Sequence, residues 1–214
     1  MSHPAPTPIF RITHVDNLEV HLKRLGLHAP NHTPADELSY RTIHNVEIQS
    51  ERHRRSIPCG PGGVIHDYVS FYFGPRSPML YQLHTGRVKD YNEGQEPIIY
   101  LVSTAQAVEQ SKAGFVFSDG HGIAAYTTWY ADLADLNKID WKAVYAARWE
   151  DDVEDMDRQR RKQAEFLVLR FCDWSLINEI GVVNDRMKAK VEGVMGRYPL
   201  ALSRSVRVRS EWYY

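Results

Sequence analysis

Residues 64–73 constrain this chain more than any other segment. They form its most apolar and aromatic stretch, and Val69, Phe71 and Phe73 alternate with Tyr68, Ser70 and Tyr72. Alternation with period two predicts a β-strand. Gly and Pro stop it at both ends, with Pro58-Cys59-Gly60-Pro61-Gly62-Gly63 before it and Gly74-Pro75-Arg76-Ser77-Pro78 after it. The chain must turn sharply on either side of this strand.

The same punctuation recurs at uneven intervals. Residues 9–14, 97–102, 115–117 and 164–169 read as strands, with shorter ones at 182–183 and 206–208. Asp16 can cap a short helix to about residue 24, and Asp140 a helix to about 149. Helices are also predicted over 104–112 and 124–136. A further one over 184–197 places Met187, Val191, Val194 and Met195 on one face. Residues 25–38 read mostly as loop, 79–83 as a short helix or strand, and 174–180 as a helical turn. No regular βαβ alternation appears, so the fold class is α+β.

A chain of 214 residues suits one domain, 1–214, with a core that needs no metal or disulfide staples. Its 26 Lys and Arg against 27 Asp and Glu give a net charge of −1. That excludes nucleic-acid binding by bulk positive charge but leaves room for a local basic groove. No apolar run is long enough to span a membrane, and the proline-rich start has no apolar core of a secretory signal. The two cysteines, Cys59 and Cys172, form no CxxC, which fits a reducing cytoplasm. Ten histidines show no pair at a metal-ligand spacing, so no metal is expected. Dinucleotide and phosphate-loop glycine motifs are missing, as is a nucleophile elbow.

Four features are candidates for chemistry. Glu165 interrupts an apolar strand, where an unpaired buried carboxylate would be costly. Either it faces solvent with Gln163 and Leu167, or it is presented at a cleft to hold a sugar hydroxyl or take a proton. Arg52, Arg54 and Arg55, with His53 among them, are either a solvated basic face or an anion site for pyrophosphate or a nucleic-acid backbone. Arg76, between two prolines, is a rigidly placed cation or half of a structural salt bridge. His66-Asp67 and Ser118-Asp119-Gly120-His121 supply the histidine candidates.

Several segments together resemble the DarT family of single-stranded-DNA ADP-ribosyltransferase toxins. They are residues 8–18, Ile48-Gln49 with the arginine cluster, 61–80, 94–98, 119–122, 162–168 and the terminal Trp212-Tyr213-Tyr214. The likeness spans nearly the whole chain. It implies an ADP-ribosyltransferase fold like that of poly(ADP-ribose) polymerases, with a split, mostly antiparallel sheet and surrounding helices. It implies NAD as ADP-ribose donor, a base of single-stranded DNA as acceptor, usually thymidine within a short motif, and no metal. It further implies a macrodomain antitoxin as partner, a monomer, and a block to DNA replication. The rival readings are transfer to RNA or protein, and a non-catalytic single-strand-binding module.

The resemblance also assigns residues. Glu165, Arg52 and His121 fall on the family's catalytic Glu, catalytic Arg and active-site His. Arg11, Ile12 and Thr13 fall on the first-strand NAD contact, beside His14, with Val20 and His28 as further NAD candidates. Arg52 would bind NAD phosphate, and could take a proton from thymine N3 only with a depressed pKa or a shared proton. Met79 falls near the target base. Arg54, Arg76 and Arg160, with Arg55, Arg158 and Arg161, would track DNA phosphates. Residues 36–55 would cover NAD, and 121–165 would form the substrate-facing loop. Two positions depart from the pattern: Arg11 stands where His is frequent, and Ser70 where Pro is usual.

Overall fold

The computed structural model describes residues 3–44 and 46–214, with only the backbone of Val46. Met1 and Ser2 of the proline-rich lead-in lie outside the described residues. Ten strands and seven α-helices alternate irregularly, as an α+β chain requires. The strands are β1 (Pro8–His14), β2 (Gly26–His28), β3 (Tyr68–Tyr72), β4 (Ile98–Thr104), β5 (Phe115–Ser118), β6 (Trp129–Tyr130), β7 (Glu165–Leu169), β8 (Phe171–Asp173), β9 (Glu179–Val182) and β10 (Ser205–Val208). The helices are α1 (Leu18–Lys23), α2 (Val46–Arg54), α3 (Pro78–His84), α4 (Ala105–Gln110), α5 (Trp141–Val144), α6 (Arg158–Lys162) and α7 (Asp185–Met195).

Eight strands form one sheet in the order β10-β9-β4-β1-β3-β7-β5-β6, and β2 pairs with β8 in a second, two-stranded sheet. Every pairing is antiparallel except β9 with β10. The eight-stranded sheet is nearly two sheets. Strand β1 pairs with β4 along seven residues, from Pro8↔Thr104 to His14↔Ile98, but meets β3 only at Phe10↔Tyr72. Beyond that bridge the two halves diverge, which is the split that the resemblance implied.

Alternation along the strands places three cores. Ile9, Val69, Phe71, Ile99, Leu101, Phe166 and Val168 point to one face, under α1, α4 and α7. The opposite face carries two smaller cores. Phe10, Ile12, Ile98, Tyr100 and Val102 pack beneath α3 and the terminal Tyr213. Tyr68, Val116, Leu167 and Trp129 pack around Ile57 and Ile65. The split lies between these two, so one face of the sheet is left with a gap where β1 leaves β3.

Local sequence explains most helix starts. Ser77 caps α3 with Pro78 in its first turn, Thr104 caps α4, Asp140 caps α5 and Asn184 caps α7, each side chain accepting a backbone N–H. The predicted helix over 124–136 does not form. Thr127 and Thr128 fold back instead, with Thr127 Oγ1 donating to the His121 carbonyl and the Thr128 carbonyl accepting from Asp119 N, and β6 then joins the sheet edge. Helix α5 ends at Val144, short of the predicted 149. Residues 25–38 are not all loop, because Gly26–His28 finds a distant partner, Gly26↔Asp173. The helical turn at 174–180 is a short 3₁₀ segment, Trp174–Leu176, after which β9 begins at Glu179.

Lys162 explains the early end of α5. It is 4% exposed, and its ammonium donates to the carbonyls of Pro75 (3.2 Å), Val144 (2.6 Å) and Ala146 (3.1 Å). One cation thus joins the 74–78 turn, the end of α5 and α6. Burial, aided by Arg76, lowers its pKa to about 8. Lys162→Met removes three hydrogen bonds and strands buried carbonyls, and the expected cost is about 1–3 kcal/mol of stability, read as a lower urea midpoint.

Candidate active site

The gap between the two smaller cores is a cleft of about 500 Å³. Strand β1, the irregular segment 30–44, helices α2, α3 and α6, strand β3 and the first residue of β7 wall it. Glu165 stands at its floor. By register it lies opposite Tyr72 and shares a sheet face with Leu167, as period two requires. That face is not solvent, because the two smaller cores cover it on either side, and Glu165 is 2% exposed.

A carboxylate so placed needs partners, and α2 supplies the main one. Arg52 donates through Nη1 to Glu165 Oε1 at 2.9 Å and through Nη2 to Oε2 at 2.7 Å, a bidentate fork. Nη2 also reaches Ser70 Oγ at 2.7 Å, so that hydroxyl steadies the guanidinium. The backbone N–H of Gly122 donates to Oε1 at 3.0 Å. Burial alone would raise the Glu165 pKa, but Arg52, His121 and the Gly122 N–H together outweigh it and hold the carboxyl below its ordinary value. Burial likewise opposes the Arg52 charge, and Glu165 outweighs that too, so Arg52 is a firmer cation than usual. Proton removal by a depressed Arg52 therefore finds no support here.

The loop that delivers Gly122 is braced. Arg160 Nη1 donates to Asp119 Oδ1 at 2.7 Å, while its Nε and Nη2 fork onto Asp157 at 2.7 and 2.8 Å. The Arg160 carbonyl accepts His121 N, and Ser118 Oγ donates to the Gly120 carbonyl. Arg160 passes so close beneath Gly120 that a Cβ there would run into its guanidinium. Burial, then Arg52, keeps His121 neutral below its ordinary pKa, although Glu165 pulls the other way.

The structure brings Glu165, Arg52 and His121 to one cleft, with Arg11, Ile12, Thr13, His28 and Met79 also in its walls. His14 and Val20 do not line it. His14 is 1% exposed, accepts Asp16 N at Nδ1 and faces Glu93 and Tyr91 away from the cleft. Val20 lies half-buried on α1. Arg54 is exposed, and among the described residues its guanidinium reaches only Ser50 Oγ at 3.5 Å. Arg76 is half-buried, and its Nε donates to the Tyr213 carbonyl at 2.9 Å, so it clasps the terminal segment. Arg160 is committed to two carboxylates. Residues 36–55 do flank the cleft through Tyr40, Arg41, Thr42, Ile43, His44, Ile48 and Gln49.

Sequence reasoning missed His21 and Tyr40. Both line the cleft, their rings 5.1 Å apart, and the Tyr40 ring also lies under the Arg24 guanidinium, 4.8 Å from its centroid. Arg11 Nη1 donates to the Ser70 carbonyl at 2.9 Å. Burial, reinforced by Arg11, pushes the His21 pKa down to about 3, so it is a neutral donor and acceptor. Polar side chains set among apolar ones in one cleft fit a polar ligand. No local motif marks His21, since its role depends on where α1 packs.

The family model for DarT, described as ssDNA thymidine ADP-ribosyltransferase, matches residues 10–214. The chain belongs to the DarT family. A Thermus sp. (strain 2.9) protein named DNA ADP-ribosyl transferase is 43% identical over 213 residues, covering 100% of this chain and 99% of that one. The structure of Thermus sp. 2.9 DarT in complex with ADP-ribosylated ssDNA superposes with a TM-score of 0.93 at 42% identity, covering 100% of this chain and 99% of that chain. The same protein in complex with NAD+ gives a TM-score of 0.89 at 42% identity, with 100% of each chain covered.

In this DarT-family chain the Arg52–Glu165 pair is a structural commitment as well as a site. Arg52→Met leaves a buried carboxylate unpaired and should cost about 3–5 kcal/mol, whereas adding Glu165→Gln should recover part of that loss. Because the folded pKa of Glu165 is below the unfolded value of about 4.5, the pair's contribution is complete above that pH and lost as pH falls through the folded pKa. Urea titrations of the wild type, both single variants and the double variant between pH 7 and 3 measure both effects.

Proposed function

We propose that this chain is the toxin of a toxin–antitoxin system, acting in the cytoplasm as one domain over 1–214. It transfers ADP-ribose from NAD to thymidine in single-stranded DNA, and a macrodomain partner reverses the mark. The Thermus relative has been captured with both NAD+ and ADP-ribosylated ssDNA, and its fold superposes on the whole of this chain. The single observation that carries the chemistry is the buried, forked Arg52–Glu165 pair on the cleft floor.

The cleft fits NAD by its mixed lining, in which the polar side chains of Arg11, His21, Tyr40 and Gln49 are set among apolar ones. A carboxylate oxygen has two acceptor positions. Glu165 Oε1 is filled by Arg52 and Gly122, but among the described residues Oε2 has only Arg52. Oε2 is therefore the atom that takes the ribose hydroxyl. Nicotinamide leaves with the electron pair of the glycosidic bond, and the negative charge of Glu165 stabilises the oxocarbenium character left at C1′. The base nitrogen then closes the new bond. Arg52, held as a cation, binds and orients. His121, held neutral beside the carboxylate, accepts the proton lost by thymine N3. That nitrogen is hidden in a paired duplex, which gives the single-strand requirement.

Incubation with labelled NAD and matched single-stranded and duplex oligonucleotides tests the reading. A gain of one ADP-ribose on thymidine-containing single strands, absent in Glu165→Ala, is expected. No gain on DNA, with labelled RNA or protein in its place, overturns it. Loss of growth on expression without antitoxin, and survival with Glu165→Ala, tests the toxin role.

The brace makes a separate prediction. Arg160→Gln frees the loop that aims Glu165, and kcat should fall by about 10²-fold with little change in KM for DNA. A phosphate contact would instead raise KM and make the salt dependence shallower. His121 also predicts a pH effect: its folded pKa lies below 6.5, so the rate should fall as pH drops through that value. His121→Gln should remove this limb from the pH–rate profile.

A further inference from the structure

The most basic run in the chain, Arg158-Gln159-Arg160-Arg161-Lys162-Gln163, borders the cleft. Every cation in it is occupied elsewhere. Arg158 pairs with Asp152 and Asp155, Arg160 with Asp119 and Asp157, and Arg161 with Asp140, Asp155 and Asp157. Lys162 is sunk among three carbonyls. The side chains that this run turns to the cleft are its two glutamines.

Gln159 lies in α6 and Gln163 is the residue that caps its C-terminus, and both line the cleft. Helix α3 adds Met79 and Gln82, three residues apart, to the same lining. The amides of Gln82 and Gln159 make no hydrogen bond among the described residues. Gln163 Nε2 donates to the Gln159 carbonyl at 3.2 Å and leaves its oxygen free. Two short helices thus bring three neutral amides to the mouth of a cleft whose floor is Glu165.

We propose that Gln82, Gln159 and Gln163 read the hydrogen-bonding edges of the DNA bases and set the sequence preference of the transfer. An amide carries two donors and an acceptor on one plane, the pattern that matches a base edge. It has no charge with which to hold a phosphate. In a single strand the base edges are open, so amides at a cleft mouth can pair with them directly. The helix reserves its charge for its own fold and offers the ligand only neutral groups. Met79 supplies an apolar surface against which a base ring can lie. The inference deepens the proposed transfer to single-stranded DNA and rests on it.

The test uses the full chain, labelled NAD and a panel of single-stranded oligonucleotides. Each contains one thymidine, and the neighbouring positions are varied one at a time. Initial rates are compared for the wild type and for Gln82→Ala, Gln159→Ala and Gln163→Ala. The inference expects the ratio of best to worst oligonucleotide to collapse by roughly tenfold for Gln159→Ala or Gln163→Ala, with the salt dependence unchanged. Gln159→Glu keeps size and acceptor but loses the donors, so it should change which neighbour is preferred. A thermal shift on adding NAD verifies that each variant keeps its cleft. Unchanged ratios in all the variants overturn the inference, as does a uniform loss of rate with a shallower salt dependence. A wild type that labels none of the strands defeats the underlying reading instead, so the two failures are distinguishable.

Discussion

The two-pronged contact between Arg52 and Glu165 is the constraint on which the rest of the architecture depends. A carboxylate that is 2% exposed would neutralise itself unless another charge met it with good geometry. The sheet supplies the position, by opening between β1 and β3 after a single bridging pair. Helix α2 supplies the guanidinium, and β3 steadies it through Ser70. The 118–122 turn supplies the last donor through Gly122. Elements separated by more than a hundred residues converge on two oxygen atoms. The site is therefore as stable as the docking of α2 and of that turn, and each has its own anchor.

The anchor of the turn shows how charge is used in this chain. The segment from Glu150 to Lys162 reads as an acidic run followed by a basic one, which invites an electrostatic reading of each half. In the fold the halves consume each other. The arginines of α6 close onto the aspartates just before it and onto Asp119 and Asp140. The basic run therefore leaves little uncompensated positive charge in a chain whose net charge is −1. Exposed pairs of this kind add little stability individually. Here they hold a particular loop geometry, because Arg160 is 11% exposed and touches the turn that carries Gly120 and Gly122.

Much of this was legible in the sequence, and the gaps have physical causes. Strands β1 and β3, which alternate, and β4 and β7, which are apolar runs, lie where the sequence placed them, because those patterns are local. The face of Glu165 was also correct, but not whether that face met water, since this depends on which distant elements cover it. Strand β2 could not be read from three residues beside a glycine, as its reason to be extended is a partner at Asp173. Tyr126, Trp129 and Tyr130 suggested a helix, yet the side-chain bond from Thr127 to the His121 carbonyl offers the backbone a tighter turn. Family resemblance brought Glu165, Arg52 and His121 together before the geometry did. It could not separate Arg160 from the phosphate-tracking arginines, because pairing is a property of the fold and not of residue type.

The asymmetry of Glu165 follows from the same pairing. The fork takes one acceptor position from each, and Gly122 then takes the second from Oε1 alone. What remains is one directional site on Oε2, in a carboxylate whose negative charge is enforced by its neighbours. Two demands that oppose each other in an isolated side chain, full ionisation and deep burial, are met together only because the donors arrive from two directions and leave a third clear. The backbone N–H of Gly122 suits this purpose: it adds a hydrogen bond without adding charge, and so holds the carboxylate without cancelling the field that the reaction at C1′ requires.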